Sequence, residues 1–208
     1  ALDGGDPAIE TNYRDEVFEI EAPFSGEGKS LVKTTNRFSG IDWGTENTAI
    51  VYDYWWDTRN RKAYVFNPSN SSSKPKVLYD RNYQDIYSDP GSFLKARNTF
   101  NKSVLMLYKG NAYLRGAGFS KEGQFPFIDK LNITTLNKSR VYQSKYTDKV
   151  EAIQDYNPST NELIVRIESP TEYPNYYSKK TNGKKLSKIT YFENPFEELQ
   201  NVKKEVIT

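Results

Sequence analysis

The feature that most constrains this chain is a recurrence. A run of β-branched and aromatic residues returns about every 45 to 55 residues, near the period of a propeller blade, and each return brings similar phrases in the same order. One phrase reads TAIVYDY, then SVLMLYKG, then ELIVRIES; the next reads KAYVFNP, then NAYLRG, then NYYSKK. An outer phrase reads KVLYDRN, then RVYQSKY, then KITYFEN. Taken as second, third and outer strands, they give each copy the three or four short antiparallel strands that a blade needs.

Sixteen Tyr, 11 Phe and 3 Trp against one Met reinforce the strand reading, because aromatic and β-branched side chains suit a pleated, half-buried surface. Strand-like runs fall at Val17–Ile20, Ser30–Thr34, Thr48–Tyr54, Lys62–Phe66, Lys76–Tyr79, Ser103–Tyr108, Ala112–Leu114 and Leu131–Thr135. Others follow at Arg140–Ser144, Val150–Asp155, Glu162–Glu168, Asn175–Lys179 and Lys188–Phe192. Turn clusters such as Asn67-Pro68-Ser69-Asn70, Asp89-Pro90-Gly91, Lys109-Gly110-Asn111, Asn157-Pro158-Ser159 and Asn182-Gly183 separate them. The expected fold is all-β: a segment of about four antiparallel propeller blades, a partial propeller, with a β-sandwich as the rival. The blades are expected at 1–38, 39–84, 85–145 and 146–194, with 195–208 as an exit segment. In that segment Asn194-Pro195 reads as the start of a helical turn over Phe196–Val202.

The chain has neither Cys nor His. That removes disulfides, thiolate chemistry, imidazole metal ligands and the commonest general base near neutral pH, so the 208 residues cannot form a Ser-His or Cys-His hydrolase. No run approaches the ~18 apolar residues of a membrane span, so a soluble chain is expected. Ala1–Pro7 has neither the basic nor the apolar region of a signal peptide. Its first residue reads as interior to a longer polypeptide. Lys and Arg total 29 and Asp and Glu 27, a balance that offers no general field for nucleic acid or anionic lipid. Lys179, Lys180, Lys184, Lys185 and Lys188 surround Asn182-Gly183 and read as a solvated hairpin tip.

Other motifs reduce to turn chemistry. Gly28-Lys29-Ser30 resembles the end of a phosphate-binding loop, but Pro23 stands where its first glycine belongs, and Gly118–Gly123 lacks the following Lys. G-x-S-x-G is absent, so no serine sits on a nucleophile elbow. Carboxylates gather at Asp3 and Asp6, at Asp80, Asp85 and Asp89, and at Glu168 and Glu172; beside Gly, Pro, Asn and Ser they read as turn caps rather than acid/base pairs or calcium ligands. No metal site and no cofactor is expected. Four N-x-[ST] sequons begin at Asn70, Asn101, Asn132 and Asn137, as chance allows in an Asn- and Ser-rich chain. Trp55-Trp56 beside Arg59 and Arg61 offers stacking faces with cations, yet adjacent strand residues face opposite ways, so at least one Trp is expected in the core.

Several of these phrases, in this order, resemble a known family. Ala1–Pro7 (ALDGGDP), Trp55-Trp56 with Arg59 and Arg61, and Asp80-Arg81 with Asp85, Tyr87 and Asp89-Pro90-Gly91 come first. Gly116–Asp129, Glu168–Tyr177 and Lys204–Ile207 follow. Together they are similar to the propeller domain of glutamyl endopeptidase-like serine peptidases of the prolyl oligopeptidase class. Gln124 and Tyr173 depart from the pattern, where an acidic residue and a proline are expected. The resemblance implies that a parent protein cleaves peptides after acidic residues in an α/β-hydrolase domain of the same polypeptide, absent from this chain. The propeller would gate access and contribute no catalytic residue. If it reads an acidic side chain, an Arg fork is the physical candidate, which nominates Arg59, Arg61 and Arg115 for substrate binding.

Two other readings stay open: a free-standing propeller or sandwich that binds glycan or peptide, and a propeller with carboxylate catalysis. An unclosed ring also predicts dimerisation through its sheet edges. A periplasmic or secreted bacterial location is the expected compartment.

Overall fold

The structure, a computed structural model, describes residues 2–3, 9–196, 198 and 202. Strands β1 (Leu2–Asp3), β2 (Asp15–Glu19) and β3 (Lys29–Thr34) form an antiparallel sheet in that order. A four-stranded meander follows: β4 (Arg37–Thr45), β5 (Thr48–Trp55), β6 (Asn60–Phe66) and β7 (Lys76–Asn82). After a single 3₁₀ turn at Ile86–Ser88 come β8 (Ser92–Phe93), β9 (Lys95–Arg97) and β10 (Ser103–Leu105), the last two paired. Then β11 (Leu107–Tyr108) and β12 (Asn111–Gly116) precede a small hairpin of β13 (Phe119–Ser120) and β14 (Gly123–Gln124). With β15 (Phe127–Asn132) and β16 (Lys138–Gln143) the third sheet runs β11-β12-β15-β16, and β8 pairs with β12. The last sheet is again a meander, of β17 (Val150–Asn157), β18 (Glu162–Glu168), β19 (Asn175–Lys180) and β20 (Leu186–Lys188).

The all-β expectation therefore holds, with several antiparallel sheets, the pairs β9-β10 and β13-β14 being inserted between strands of the third. The chain divides into two compact units. One comprises Ala1–Ser88, Phe93–Ala112 and Asn132–Asn137; the other comprises Asp89–Ser92, Tyr113–Leu131 and Lys138–Thr208.

In the first unit Val17, Leu31 and Val32 pack with Ala49, Val51, Tyr64 and Phe66, and Phe38 and Ile41 close the cluster. Asp53, on β5 in the same unit, is buried. Its carboxylate accepts from the Asn36 backbone N–H (3.0 Å) and side-chain amide (3.1 Å), the Tyr64 hydroxyl (2.9 Å) and, at 3.4 Å, Thr35. One acidic side chain so ties the β3–β4 turn to β5 and β6, with buried lone pairs satisfied as a low-dielectric interior demands.

In the second unit β18 shows a clean period of two: Leu163, Val165 and Ile167 are buried and their neighbours half-exposed. Full burial of such side chains contributes about 1.5–3 kcal/mol each. On β17 the parity changes, from Glu151 and Ile153 to Tyr156, because the register slips between Ile153 and Asp155. Gln154 is the extra residue of a β-bulge.

Several expected strands move, each for a local reason. β4, the longest strand, has no counterpart among the expected runs; Gly40 and Gly44 break its apolar pattern, and the ladder to β5 slips at Phe38/Gly40 and Trp43/Thr45. The Ser103–Tyr108 run splits, because the Met106 N–H turns to Leu94 O (2.9 Å) between β10 and β11. NAYLRG is second in its sheet rather than third; FIDKLN, as β15, takes the third place. That strand ends at Asn132, whose side chain captures the N–H groups of Thr134 (3.0 Å) and Thr135 (2.9 Å), so of the expected Leu131–Thr135 run only Leu131 and Asn132 are strand. Beyond Lys188 the ladder gives way to bonds with Tyr176, whose carbonyl accepts from the Ile189 N–H (2.8 Å), and with the Asn175 side chain. Asn175 accepts from the Thr190 hydroxyl (2.9 Å) and the Phe192 N–H (2.7 Å), and donates to Phe192 O (3.0 Å). Neither Trp55 nor Trp56 is in the core: Trp55 is half-buried beside Arg14 and Trp56 is 65% exposed. The ALDGGDP phrase apart from Leu2–Asp3, Asp6, the helical turn expected after Phe196 and Lys204–Ile207 lie outside the described residues or nearly so.

Candidate functional site

The three arginines nominated from the sequence fall in two places. Arg59 closes the β5–β6 hairpin with φ 56°, a left-handed conformation. Its N–H and its Nη1 both donate to Trp56 O, at 3.2 and 2.6 Å, and its guanidinium lies 3.9 Å from the Trp56 ring centroid. Arg61, two residues on, is exposed and lies over Tyr52 at 5.3 Å. The Tyr52 hydroxyl donates to Asp42 (2.9 Å), and burial, followed by the Asp42 charge, drives its pKa far up.

Arg115 belongs to the second unit. Its Nη1 donates to Ile153 O (3.0 Å) and Gln154 O (2.7 Å), the consecutive carbonyls at the β17 bulge. In a regular strand consecutive carbonyls point opposite ways, so one nitrogen reaching both requires the bulge. The described contacts give Arg115 a structural employment and bring it together with neither Arg59 nor Arg61.

The acidic residues are engaged in turns and surface pairs. Asp85 accepts from the Tyr87 N–H (3.0 Å), and hydrogen bonds led by the Ser88 hydroxyl hold its pKa down. Asp89 accepts from Gly91 N (2.8 Å). Asp80 binds the Asn60 amide (2.6 Å) and Lys62 (3.2 Å), which hold its pKa down, the amide foremost. Glu168 pairs with Arg166 (2.9 Å) and Glu172 with Lys149 (2.5 Å).

A different cluster stands out. In the second unit an open cavity of about 520 Å³ is lined by Arg140, Tyr142, Gln143, Lys145, Tyr146 and Lys179, among others. Two of these lining residues, Tyr142 and Lys179, belong to a three-membered hub with Glu151. The Tyr142 hydroxyl donates to Glu151 Oε2 (2.6 Å); Lys179 Nζ donates to the Tyr142 oxygen (2.7 Å) and to Glu151 Oε1 (3.3 Å). The Glu151 side chain is wholly inaccessible and that of Lys179 is 13% exposed. Burial first, then the hydrogen bond to Glu151, pushes the Tyr142 hydroxyl far above its ordinary range, which keeps it a donor. Beside it Arg140 covers Phe127 at 4.0 Å and pairs with Asp129 (2.5 Å), which is 2% exposed and also lies 3.5 Å from Lys138. Lys145 is exposed and, among the described residues, has no ion-pair partner.

Sequence reasoning missed this cluster. The sequence places Lys179 with the lysines of the hairpin tip, yet its side chain is only 13% exposed while Lys180 is exposed. The available signal is Glu151, an acid at a core-facing position of β17, which demands buried donors or a cation.

No family model matches the chain. Two plant proteins, from Oryza sativa subsp. japonica and Arabidopsis thaliana, each named "Probable glutamyl endopeptidase, chloroplastic", align with 99% of it. They are 34% identical over 221 residues and 32% identical over 222 residues. The chain is a homologue of one segment of these glutamyl endopeptidases. It spans 24% and 23% of their lengths, about a quarter. The expected periplasmic or secreted bacterial location finds no support in glutamyl endopeptidase relatives that are plant proteins named chloroplastic. Among the described residues no helix is long and apolar enough to cross a membrane. Among solved structures, TolB from Acinetobacter baumannii resembles 86% of this chain with 38% of its own, at 12% identity and a TM-score of 0.40.

Proposed function

We propose that this chain is the non-catalytic β-propeller part of a serine peptidase of the prolyl oligopeptidase class that cleaves after acidic residues. Its sheets act as blades that gate peptide access to an α/β-hydrolase domain of the same polypeptide. The observation that carries this reading is the alignment: nearly every residue of the chain finds a place in proteins named as glutamyl endopeptidases, yet those proteins are about four times longer. With neither His nor Cys in 208 residues, general-base and nucleophile duties fall to the remaining length. Small antiparallel sheets, two of them plain four-stranded meanders, suit blades better than the two facing sheets of a sandwich.

Gating is tested by size selectivity. The full-length protein should cleave a short glutamate-containing peptide at least about tenfold more efficiently, as kcat/KM, than the same sequence inside a folded protein loop. Equal efficiencies would remove the gate from the account.

A second reading, a binding module for glycan or peptide, is favoured by one observation: the exposed Trp56 ring with Arg59 against its face. Titration of tryptophan fluorescence with oligosaccharides and peptides tests it, and an unresponsive Trp56 would end it.

A further inference from the structure

Strand β16 is the outer strand of its sheet; among the described residues it pairs with β15 alone. Ser144 N–H donates to Pro126 O (2.8 Å), which fixes the alternation at this end of the ladder. The N–H and C=O of Gln143 therefore point away from β15, toward the open side. The same strand borders the cavity described above through Arg140, Tyr142 and Gln143. Unpaired strand groups next to a recess are what an added strand needs: main-chain hydrogen bonds for affinity and a pocket for alternate side chains.

Charge says which strand. From Lys130 to Thr147 the chain carries Lys130, Lys138, Arg140 and Lys145 and no Asp or Glu. Lys138, Arg140 and Lys145 are exposed. The buried acids nearby, Asp129 and Glu151, are already matched by Arg140, Lys138 and Lys179, which leaves Lys145 unmatched at the cavity wall. The acids near Tyr146 are Glu151, Asp148 on the following loop and Glu172 of the β18–β19 connection, the last held by Lys149 at 2.5 Å. A second copy of the chain adding edge to edge would bring another Lys145 and no Asp or Glu from Lys130–Thr147, so this stretch of it offers that charge no partner. An extended acidic segment supplies one.

We infer that the open edge of β16 is a docking site for an extended peptide segment rich in Asp and Glu, which adds as a strand and lays acidic side chains toward Lys145 and the adjoining cavity. The site goes beyond the gating role and stands without it, because it is read from a backbone edge and its flanking charges alone. Bound peptide hydrogen-bonds to Gln143, beside Tyr142 and Lys179, whose hydrogen bonds to each other and to Glu151 are already made. Tyr146, half-buried at the rim, offers an apolar face to the peptide's intervening side chains.

The test is direct binding to the 208-residue chain, read by fluorescence anisotropy of a labelled peptide, Thr-Glu-Val-Glu-Val-Glu-Thr, and its counterpart with Lys for Glu. The acidic peptide should bind, more weakly at high salt, and the basic one should not. Lys145→Glu should weaken binding by about tenfold. Gln143→Pro, which deletes an outward N–H and leaves the ladder to β15 intact, should abolish it. Both positions are exposed, and a thermal melt shows that each variant is folded. Equal binding of both peptides, no binding at all, or affinity unchanged by both substitutions would overturn the inference. So would a dimer in light scattering that Gln143→Pro dissolves, since the edge would then belong to a second copy. Failure of gating leaves this binding untouched, so the two results are separable.

Discussion

Lys179 Nζ lies 3.3 Å from Oε1 of Glu151, a carboxylate with no accessible surface of its own. The pair spans β17 and β19, and Tyr142 from β16 completes it. A buried ion pair adds little net stability over an apolar substitute, but breaking one side of it strands a charge. Lys179→Met should therefore cost about 3 kcal/mol in urea unfolding, and adding Glu151→Gln should return a good part of it. Two losses that simply add would show that the residues do not interact.

Arg115 should act as a strut. Its Nη1 bridges two carbonyls at the β17 bulge from an exposed side chain, so Arg115→Ala should cost about 1 kcal/mol and leave acidic-peptide binding at β16 unchanged. A loss of peptide binding with stability intact would instead make Arg115 a recognition residue.

Asp53 accepts four hydrogen bonds in the first unit. Asp53→Ala leaves the Asn36 N–H without its acceptor, at about 1–3 kcal/mol for a group left unsatisfied, while the Tyr64 hydroxyl keeps Thr35 Oγ1 at 2.9 Å. The urea midpoint should fall accordingly, and hydrogen exchange at Asn36 should accelerate.

Alkaline pH should loosen the same region. Burial, with a further push from Asp53, raises the Tyr64 hydroxyl from 10.0 to about 12. The folded state then keeps a proton that the unfolded state has released. Stability is full below pH 10 and falls as pH rises toward 12, by roughly 1.4 kcal/mol per unit. Tyr52 and Tyr142, also raised by burial, add loss of the same sign. Tyr64→Phe should flatten the decline; an unchanged slope would show that Tyr64 does not carry it.

Gly118 should resist substitution. It adopts φ +66°, and a Cβ there would run into the carbonyl oxygen of Phe125, which is backbone and cannot step aside. Gly118→Ala should disrupt the β13–β14 hairpin, visible as lost amide protection at Phe125, whose N–H donates to Gly118 O (2.8 Å). Gly110 has φ +73° but open space, and Gly110→Ala should cost only its backbone strain, about 1 kcal/mol.

What the sequence made legible was whatever depends on period and turn chemistry. Thr48–Trp55, Asn60–Phe66 and Glu162–Glu168 announce themselves by β-branched and aromatic runs between turns, and the structure puts strands there. Residues that break the local pattern for a tertiary reason stayed hidden. Gly40 and Gly44 disguise β4, and Asn175 holds Thr190–Phe192 by its side chain where a ladder was expected. Recognition sites were the least legible. Arg59, Arg61 and Arg115 were chosen for their chemistry, whereas the cavity beside β16 depends on Lys179 turning inward and on an edge left open, which no local window records.

The division of labour at the centre of this account is measured most directly with a fluorophosphonate probe and a glutamate-containing peptide substrate. Applied to the 208-residue chain, both should give nothing; applied to the full-length gene product, the probe should label one serine outside these residues and the peptide should be cut after glutamate. Labelling or cleavage by the chain alone, or a full-length protein inert to both, would contradict it.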